Sequence, residues 1–392
     1  MSKQKVNCAV GTREAGLGHA LLSASSSHRW LNCPPSARLC ESYEDKGSEY
    51  AAEGTSAHML CEYKLKVALG IRAKDPTADL SFYNAAMEDC ANGYAAYILE
   101  LVEMAKQSCA DPVVLIEQRL DFSKYVEGGF GTGDCLVIAD GTLHIVDYKH
   151  GQGVLVEAED NPQMKLYALG ALEIFDGIYD IDTVSMTIYQ PRRDNVSTYT
   201  VFKESLYQWA EEVLKPAAKL AYSGDGEFNC GEWCMFCRAK AECRERAKAN
   251  MAIAVYDFQE PALLGIDEIA SILAKIDGLV SWAGDVKEFA LQQALKGVKF
   301  DGFKVVEGRS TRKYTSESDV ANAVIMAGYN PYEQCILGVT ALEKLLGKKK
   351  FAELLGRLIE KPPGKPTLVP ESDKRPALAI TSAADDFKEA TE

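Results

Sequence analysis

A chain of 392 residues, 47% apolar and 26% charged, is long enough for two or three domains with cores of their own. Its formal charge of -14 excludes a generally basic protein that coats nucleic acid, because phosphate binding needs Lys and Arg, so any such contact must be local. No apolar run approaches membrane-spanning length and the N-terminus lacks an apolar run with a cleavage-type site, which together predict a cytoplasmic protein.

Residues 1–27 end in Ala24-Ser25-Ser26-Ser27 and carry little periodic apolar signal, which predicts a flexible N-terminus. Helices are expected over 34–42, 48–70 and 83–108, the second placing His58 and Glu62 on one face. Strands rich in β-branched and aromatic residues follow at 113–120, 135–138, 143–149, 183–189 and 198–202, with a helix at 162–174 between the third and fourth and another at 204–222. From about residue 260 the pattern is mainly helical, at 266–295, 316–327 and 340–359, with a short strand at 303–307. The order describes an α/β core over 28–250, a mixed central sheet flanked by helices, then a mainly helical C-terminal domain over 251–361. Residues 362–392, opening after Lys361 with Pro362-Pro363-Gly364, read as a linker or disordered tail.

The chemistry concentrates in a hairpin. Gly133-Asp134 sits on one strand and Asp147-Tyr148-Lys149 on the next, joined by a two-residue Asp140-Gly141 turn, so Asp134 and Asp147 can converge on one divalent cation while Lys149 points the same way. Asp147 follows the apolar run Leu143-His144-Ile145-Val146, where an unpaired charge is costly. Glu117, in the preceding strand, is a third candidate carboxylate, and His58 could complete the metal site with Glu62 setting its tautomer. Gln163 and Tyr167 are neighbours one helical turn apart, able to hydrogen-bond a phosphate or a base edge. Carboxylates that hold Mg or Mn openly, beside a lysine that stabilises developing charge, suit phosphodiester hydrolysis.

The 12 cysteines are too scattered for a disulfide scaffold and suggest metal binding. Cys230, Cys234, Cys237 and Cys243 lie in one short stretch with Trp233 and Phe236 between them. Zinc and an iron-sulfur cluster both suit four thiolates, but zinc ribbons show two Cys-x-x-Cys knuckles and this stretch has one, which favours iron and sulfur. Cys8, Cys40, Cys61, Cys90, Cys109, Cys135 and Cys335 read as small apolar residues.

The ordered set Cys33-Pro34, Gly54-Thr55-x-x-His58, Gly133-Asp134, Asp147-Tyr148-Lys149 and Gln163-x-x-x-Tyr167 resembles the RecB-type branch of the PD-(D/E)XK nuclease superfamily. The resemblance covers about residues 28–245 and implies the restriction-endonuclease-like fold. It further implies metal binding by His58, Asp134 and Asp147, catalysis by Lys149, an acidic role for Glu117 and DNA contact by Gln163 and Tyr167. The second acid is Asp rather than the superfamily's commoner Glu, as is usual in this branch. Its iron-sulfur members imply a [4Fe-4S] cluster on Cys33, Cys234, Cys237 and Cys243, leaving Cys230 spare. A rival resemblance, the Cys-x-x-x-Cys-x-aromatic-Cys signature of radical S-adenosylmethionine enzymes, uses Cys230, Cys234 and Cys237, although that loop there follows the first strand of a β/α barrel rather than the main sheet.

Lys344, Lys348, Lys349, Lys350 and Arg357 form a basic exception that could follow a DNA backbone. The stretch from Gly302 to Ser310 and that from Lys361 to Arg375 resemble the C-terminal part of RecB-like proteins of phages and prophages, which implies a setting in phage recombination beside a single-strand annealing or binding protein. The reading is a Mg- or Mn-dependent exonuclease acting on single- or double-stranded DNA ends. Its alternative is a non-catalytic DNA-end-binding scaffold.

Overall fold

The computed structural model describes residues 8–10, 20–44, 47–139, 141–252, 264–307, 314–332, 336–360 and 376. Six strands form one sheet in sequence order: β1 (Cys8–Val10), β2 (Val113–Asp121), β3 (Phe130–Ala139), β4 (Gly141–Tyr148), β5 (Ile181–Gln190) and β6 (Asn195–Phe202). Strands β2, β3 and β4 make an antiparallel meander, whereas β5 runs parallel to β4 and β6 returns antiparallel. Parallel pairing demands a crossover, and α5 (below) supplies it. Short β1 pairs parallel with β2.

The helices of the first part are α1 (Ser27–Asn32), α2 (Ser36–Glu41), α3 (Glu49–Ala68), α4 (Ala85–Ala105), α5 (Pro162–Phe175), α6 (Lys203–Trp209), α7 (Lys215–Ser223), α8 (Arg244–Met251) and α9 (Ile266–Leu295). Ser48 caps α3 by accepting from the Ala51 amide, Asn84 does the same for α4 through Met87, and Asn161 with Pro162 behind it starts α5. In α4, Met87, Ala91, Tyr94, Ala95, Ile98, Val102 and Ala105 form a buried stripe at helical spacing.

Strand alternation divides the core between the two faces of the sheet. Leu136, Ile138, Leu143 and Ile145 pack with α5, Trp30 of α1 and Leu206 of α6, while Val137, Val146 and Tyr148 pack with α3 and α4. The result is a mixed α/β layer structure with helices on both faces. Between α6 and α7 the helix widens into a π turn at Ala210–Leu214, ending two residues before Pro216. Proline lacks the amide and crowds the carbonyl four residues back, so a locally wider turn accommodates it.

The chain divides into two compact units, Met1–Gln292 and Gln293–Glu392. The second contains α10 (Glu317–Met326), α11 (Val339–Leu346) and α12 (Lys348–Leu355). Among the described residues no helix is long and apolar enough to cross a membrane.

Three sequence expectations change. The expected flexible segment to residue 27 does not extend that far, because Leu22 and Ala24 are buried in the core and Trp30 Nε1 donates to the Ser23 carbonyl at 3.1 Å. Residues 303–307 form no strand, since the described part of the second unit offers no partner strand. The expected helix at 340–359 is broken by Gly347, whose φ of 74° and ψ of 150° interrupt the helical backbone. Residues 362–392, with the exception of Pro376, lie outside the described residues, as do Lys361 and Cys335.

Candidate active site and thiol cleft

Ala139 of β3 pairs with Thr142 of β4, and Gly141, the first residue of β4, supplies the φ of 78° that so tight a connection requires. Asp140 itself lies outside the described residues. The register then runs back to Cys135 opposite Val146, which brings Asp134 beside Asp147 at the far end of the hairpin. From α3, His58 Nδ1 reaches Asp134 Oδ1 at 3.2 Å, and the other oxygen of Asp134 accepts from the Tyr148 amide at 2.7 Å.

The third member comes from β2. Pairing is regular on both sides of Glu117, with Ile116 opposite Cys135 and Gln118 opposite Gly133, yet Glu117 itself adopts a left-handed φ of 52°. For a non-glycine residue inside a strand this costs about 1–3 kcal/mol. The consequence is that His58, Glu117 and Asp134 place ligand atoms within 4.8 Å of one another. They line a pocket enclosing about 200 Å³ together with Cys61, Glu62, Tyr94 and Tyr148.

Asp147 stands outside this trio and holds a second group. Its Oδ1 accepts from Gln163 Nε2 at 3.1 Å, and Lys149 Nζ lies 2.8 Å from its Oδ2. Asp147 Oδ2 is thus a buried oxygen whose partner is the Lys149 ammonium. Gln163 from α5 ties the group together, since its Oε1 accepts from Lys149 at 3.1 Å while its Nε2 also lies 3.1 Å from Tyr167 Oη. The expected ligand set of His58, Asp134 and Asp147 therefore meets the structure in two parts: Glu117 takes the place beside His58 and Asp134, and Asp147 faces Lys149. Glu62, expected to orient His58, accepts from Lys66 one turn on at 2.6 Å, and it is Asp134 that holds the His58 imidazole.

Charge and burial act against each other here. Burial opposes protonation of His58, but the Asp134 and Asp147 carboxylates outweigh it and push the imidazole up to about 9. Burial also disfavours charge on Asp134, yet His58 and the Tyr148 amide hold it below the ordinary carboxylate value. Asp147 goes the other way, raised by burial and by the charge of Asp134 against the pull of Lys149. Tyr167 is raised by burial and by both aspartates, which keeps it a hydrogen-bond donor.

Sequence reasoning missed the layer behind the carboxylates. Tyr148 Oη and His150 Nδ1 are 2.8 Å apart, and Glu53 lies 3.5 Å from His150 Nε2 and 2.8 Å from Arg192. The alternation in Asp147-Tyr148-Lys149-His150 contained the signal, because it turns Tyr148 and His150 away from Asp147 and Lys149.

Cys33, Cys234, Cys237 and Cys243 line one open cleft of about 320 Å³ with Arg29, Trp233, Lys240 and Arg246. Cys33 follows α1 directly, whereas the other three belong to the turn before α8, Cys243 as that helix's N-cap. Cys230 is absent from this lining, and burial with the neighbouring Cys234 pushes its thiol up to about 11. Among the described residues no three of the thiols come within 4.8 Å of one another. One assignment is corrected: Cys40, read as a small apolar residue, places its Sγ 3.7 Å from that of Cys237, and the shared hydrogen bond draws Cys40 down and pushes Cys237 up. Cys61 and Cys135 are indeed buried among apolar side chains.

The model of a family described as "Protein of unknown function (DUF2800)" matches residues 19–376. A solved structure titled "Crystal structure of SSO0001" is similar at 12% identity over 49% of this chain and 98% of that one, with a TM-score of 0.21, too low to carry an argument.

Proposed function

The chain belongs to the DUF2800 family, whose description assigns no activity, and we propose from its site that it is a metal-dependent deoxyribonuclease of the PD-(D/E)XK type that hydrolyses phosphodiesters at DNA ends. The observation that carries this is the convergence of His58, Glu117 and Asp134 beside an Asp147–Lys149 pair on adjoining strands. The mixed sheet flanked by helices, an antiparallel meander followed by a helical crossover to a parallel strand, is compatible with this reading.

The donor set suits a hard divalent cation with an imidazole beside it: two carboxylates and one nitrogen within reach of a common point, and the Asp147 carboxylate, ion-paired with Lys149, at the edge. Mg or Mn held there would polarise a phosphoryl oxygen and lower the pKa of a water. The remaining work falls to side chains of this chain. Lys149, already balanced between Asp147 and Gln163, is placed to stabilise negative charge developing on the phosphate. Gln163 and Tyr167 offer hydrogen bonds that orient the substrate backbone, and Tyr148, through its amide, holds Asp134 in position.

The thiol cleft supports the [4Fe-4S] reading on Cys33, Cys234, Cys237 and Cys243. Tetrahedral zinc with Zn–S bonds of 2.3 Å needs thiolates about 3.8 Å apart, and among the described residues no three thiols lie within 4.8 Å of one another. The cluster would tie α1 to the turn before α8. The radical-enzyme reading needs Cys230 as a ligand, and Cys230 does not line the cleft. A place in phage recombination, alongside a single-strand annealing protein, is part of the same proposal.

The test uses anaerobically purified protein with end-labelled single- and double-stranded DNA, with and without Mn. Wild type is expected to digest DNA only with metal, and Asp134→Asn, Asp147→Asn and Lys149→Ala each to lose about 100-fold or more. No digestion by any form, or equal digestion by all, overturns the assignment.

A further inference from the structure

The geometry points to Cys40 and Cys237 as an oxidative modification site: a dithiol that closes to a disulfide when Cys237 is not holding iron. The two residues lie 197 positions apart in the chain, on α2 and in the turn before α8, and their sulfurs are 3.7 Å apart. Closing to the 2.05 Å of a disulfide asks only a small movement. Two donors position the Cys40 side: Arg29 Nη1 donates to Cys40 Sγ at 3.3 Å, and Arg238 Nη1 donates to the Cys40 carbonyl at 3.4 Å. Leu39, Tyr43 and Ala239 pack around the pair.

Access is one-sided. Cys40 does not line the thiol cleft, whereas Cys237 does, so a small oxidant entering the cleft meets Cys237 first. With a hydroperoxide the chemistry balances in two steps. The Cys237 sulfur, passing its proton to Cys40 along their hydrogen bond, attacks the terminal peroxide oxygen, the O–O bond breaks, and Cys237 sulfenic acid forms while the leaving oxygen takes a proton from solvent and departs as water or alcohol. Cys40 Sγ then attacks the Cys237 sulfur, the S–O bond breaks, and the hydroxide leaves with the Cys40 proton as a second water. The sulfurs together lose the two electrons that the peroxide gains.

The role of iron in protecting Cys237 rests on the cluster reading above; the dithiol itself does not. Oxidative loss of a cluster would release Cys237 to a partner already in contact, and the bridge between the N-terminal helices and the turn before α8 would pass from cluster to disulfide. This also shields Cys237 from irreversible oxidation to the sulfinic acid.

The experiment treats full-length protein with hydrogen peroxide, before and after chelation of metal, and maps cysteines by peptide mass spectrometry. Iron is measured alongside. The expected result is a Cys40–Cys237 crosslink in the chelated protein, at least 10-fold less in the iron-loaded protein, and none in Cys40→Ser, which binds iron as wild type does and, once chelated, accumulates Cys237 sulfinic acid instead. Chelated wild type that oxidises without this crosslink overturns the proposal, as does a crosslink of Cys237 to another cysteine in its place. A preparation that never holds iron but forms the crosslink overturns the cluster reading and supports the dithiol.

Discussion

At the residue scale the site is governed by charge. His58 is the clearest case, because two carboxylates push its imidazole to about 9 from an ordinary 6.5. A histidine whose folded value lies above its unfolded one stabilises the fold fully below pH 6.5, and the contribution disappears as pH rises through 9. At 1.36 kcal/mol per unit the swing is at most about 3 kcal/mol. Metal-free wild type should therefore lose up to that much urea-unfolding stability between pH 6 and pH 9 relative to His58→Gln. Parallel profiles for the two proteins would show that Asp134 does not hold a protonated imidazole. Since a metal takes the neutral ring, Mn affinity should fall as pH drops below 9.

At the scale of elements, two backbone positions make the site possible. Glu117 spends its strain on carrying a carboxylate across to His58 and Asp134. Replacing it with glycine removes the strained side chain, so Glu117→Gly should be as stable as wild type or about 1 kcal/mol more stable by denaturant unfolding. The same variant should lose metal-dependent nuclease activity, and retention of both stability and activity would remove Glu117 from the site. Gly131 acts through space instead. A Cβ there would meet Tyr167 Cε1 at 2.7 Å, and Tyr167 is buried against β3. Gly131→Ala should cost about 1–3 kcal/mol and lower nuclease activity by displacing the Tyr167–Gln163 pair. A variant with wild-type Tm and activity would show that the ring moves aside freely.

At the scale of the molecule, the cysteine-lined cleft joins distant parts of the chain. Cys33 and Cys243 lie at its two ends in sequence, and a link closing about two hundred residues removes on the order of 5 kcal/mol of unfolded-state entropy in the polymer picture. Anaerobic protein should be brown and hold close to four iron atoms per chain, and Cys234→Ser should lose both colour and thermal stability. A colourless preparation containing zinc and no iron would refute this cluster. The same region anchors α9, because Asp285 pairs with Lys240 at 2.8 Å and with Arg246 at 2.6 Å. Both ends of these ion pairs lie within the first compact unit, which runs to Gln292.

Much of this was legible in the sequence. The helices α3, α4, α5 and α9 and the five longer strands follow from caps, apolar periodicity and β-branched runs, which are local properties of a few neighbouring residues. The placing of Asp134 and Asp147 side by side at the end of the β3–β4 ladder follows as well, since a tight connection and a period of two leave one register. What local pattern could not contain was the choice of partners between elements. The left-handed turn of Glu117, the division of the carboxylates into a His58 group and a Lys149 group, and the contact of Cys40 with Cys237 each join residues from different strands or helices. Such contacts depend on how helices pack across a sheet, and that packing exists only in the folded chain. The sequence by itself determined which chemical groups are present and which strands carry them; the tertiary structure decided which of them share a charge, because electrostatic and thiol chemistry act over a few ångströms of space and not along the chain.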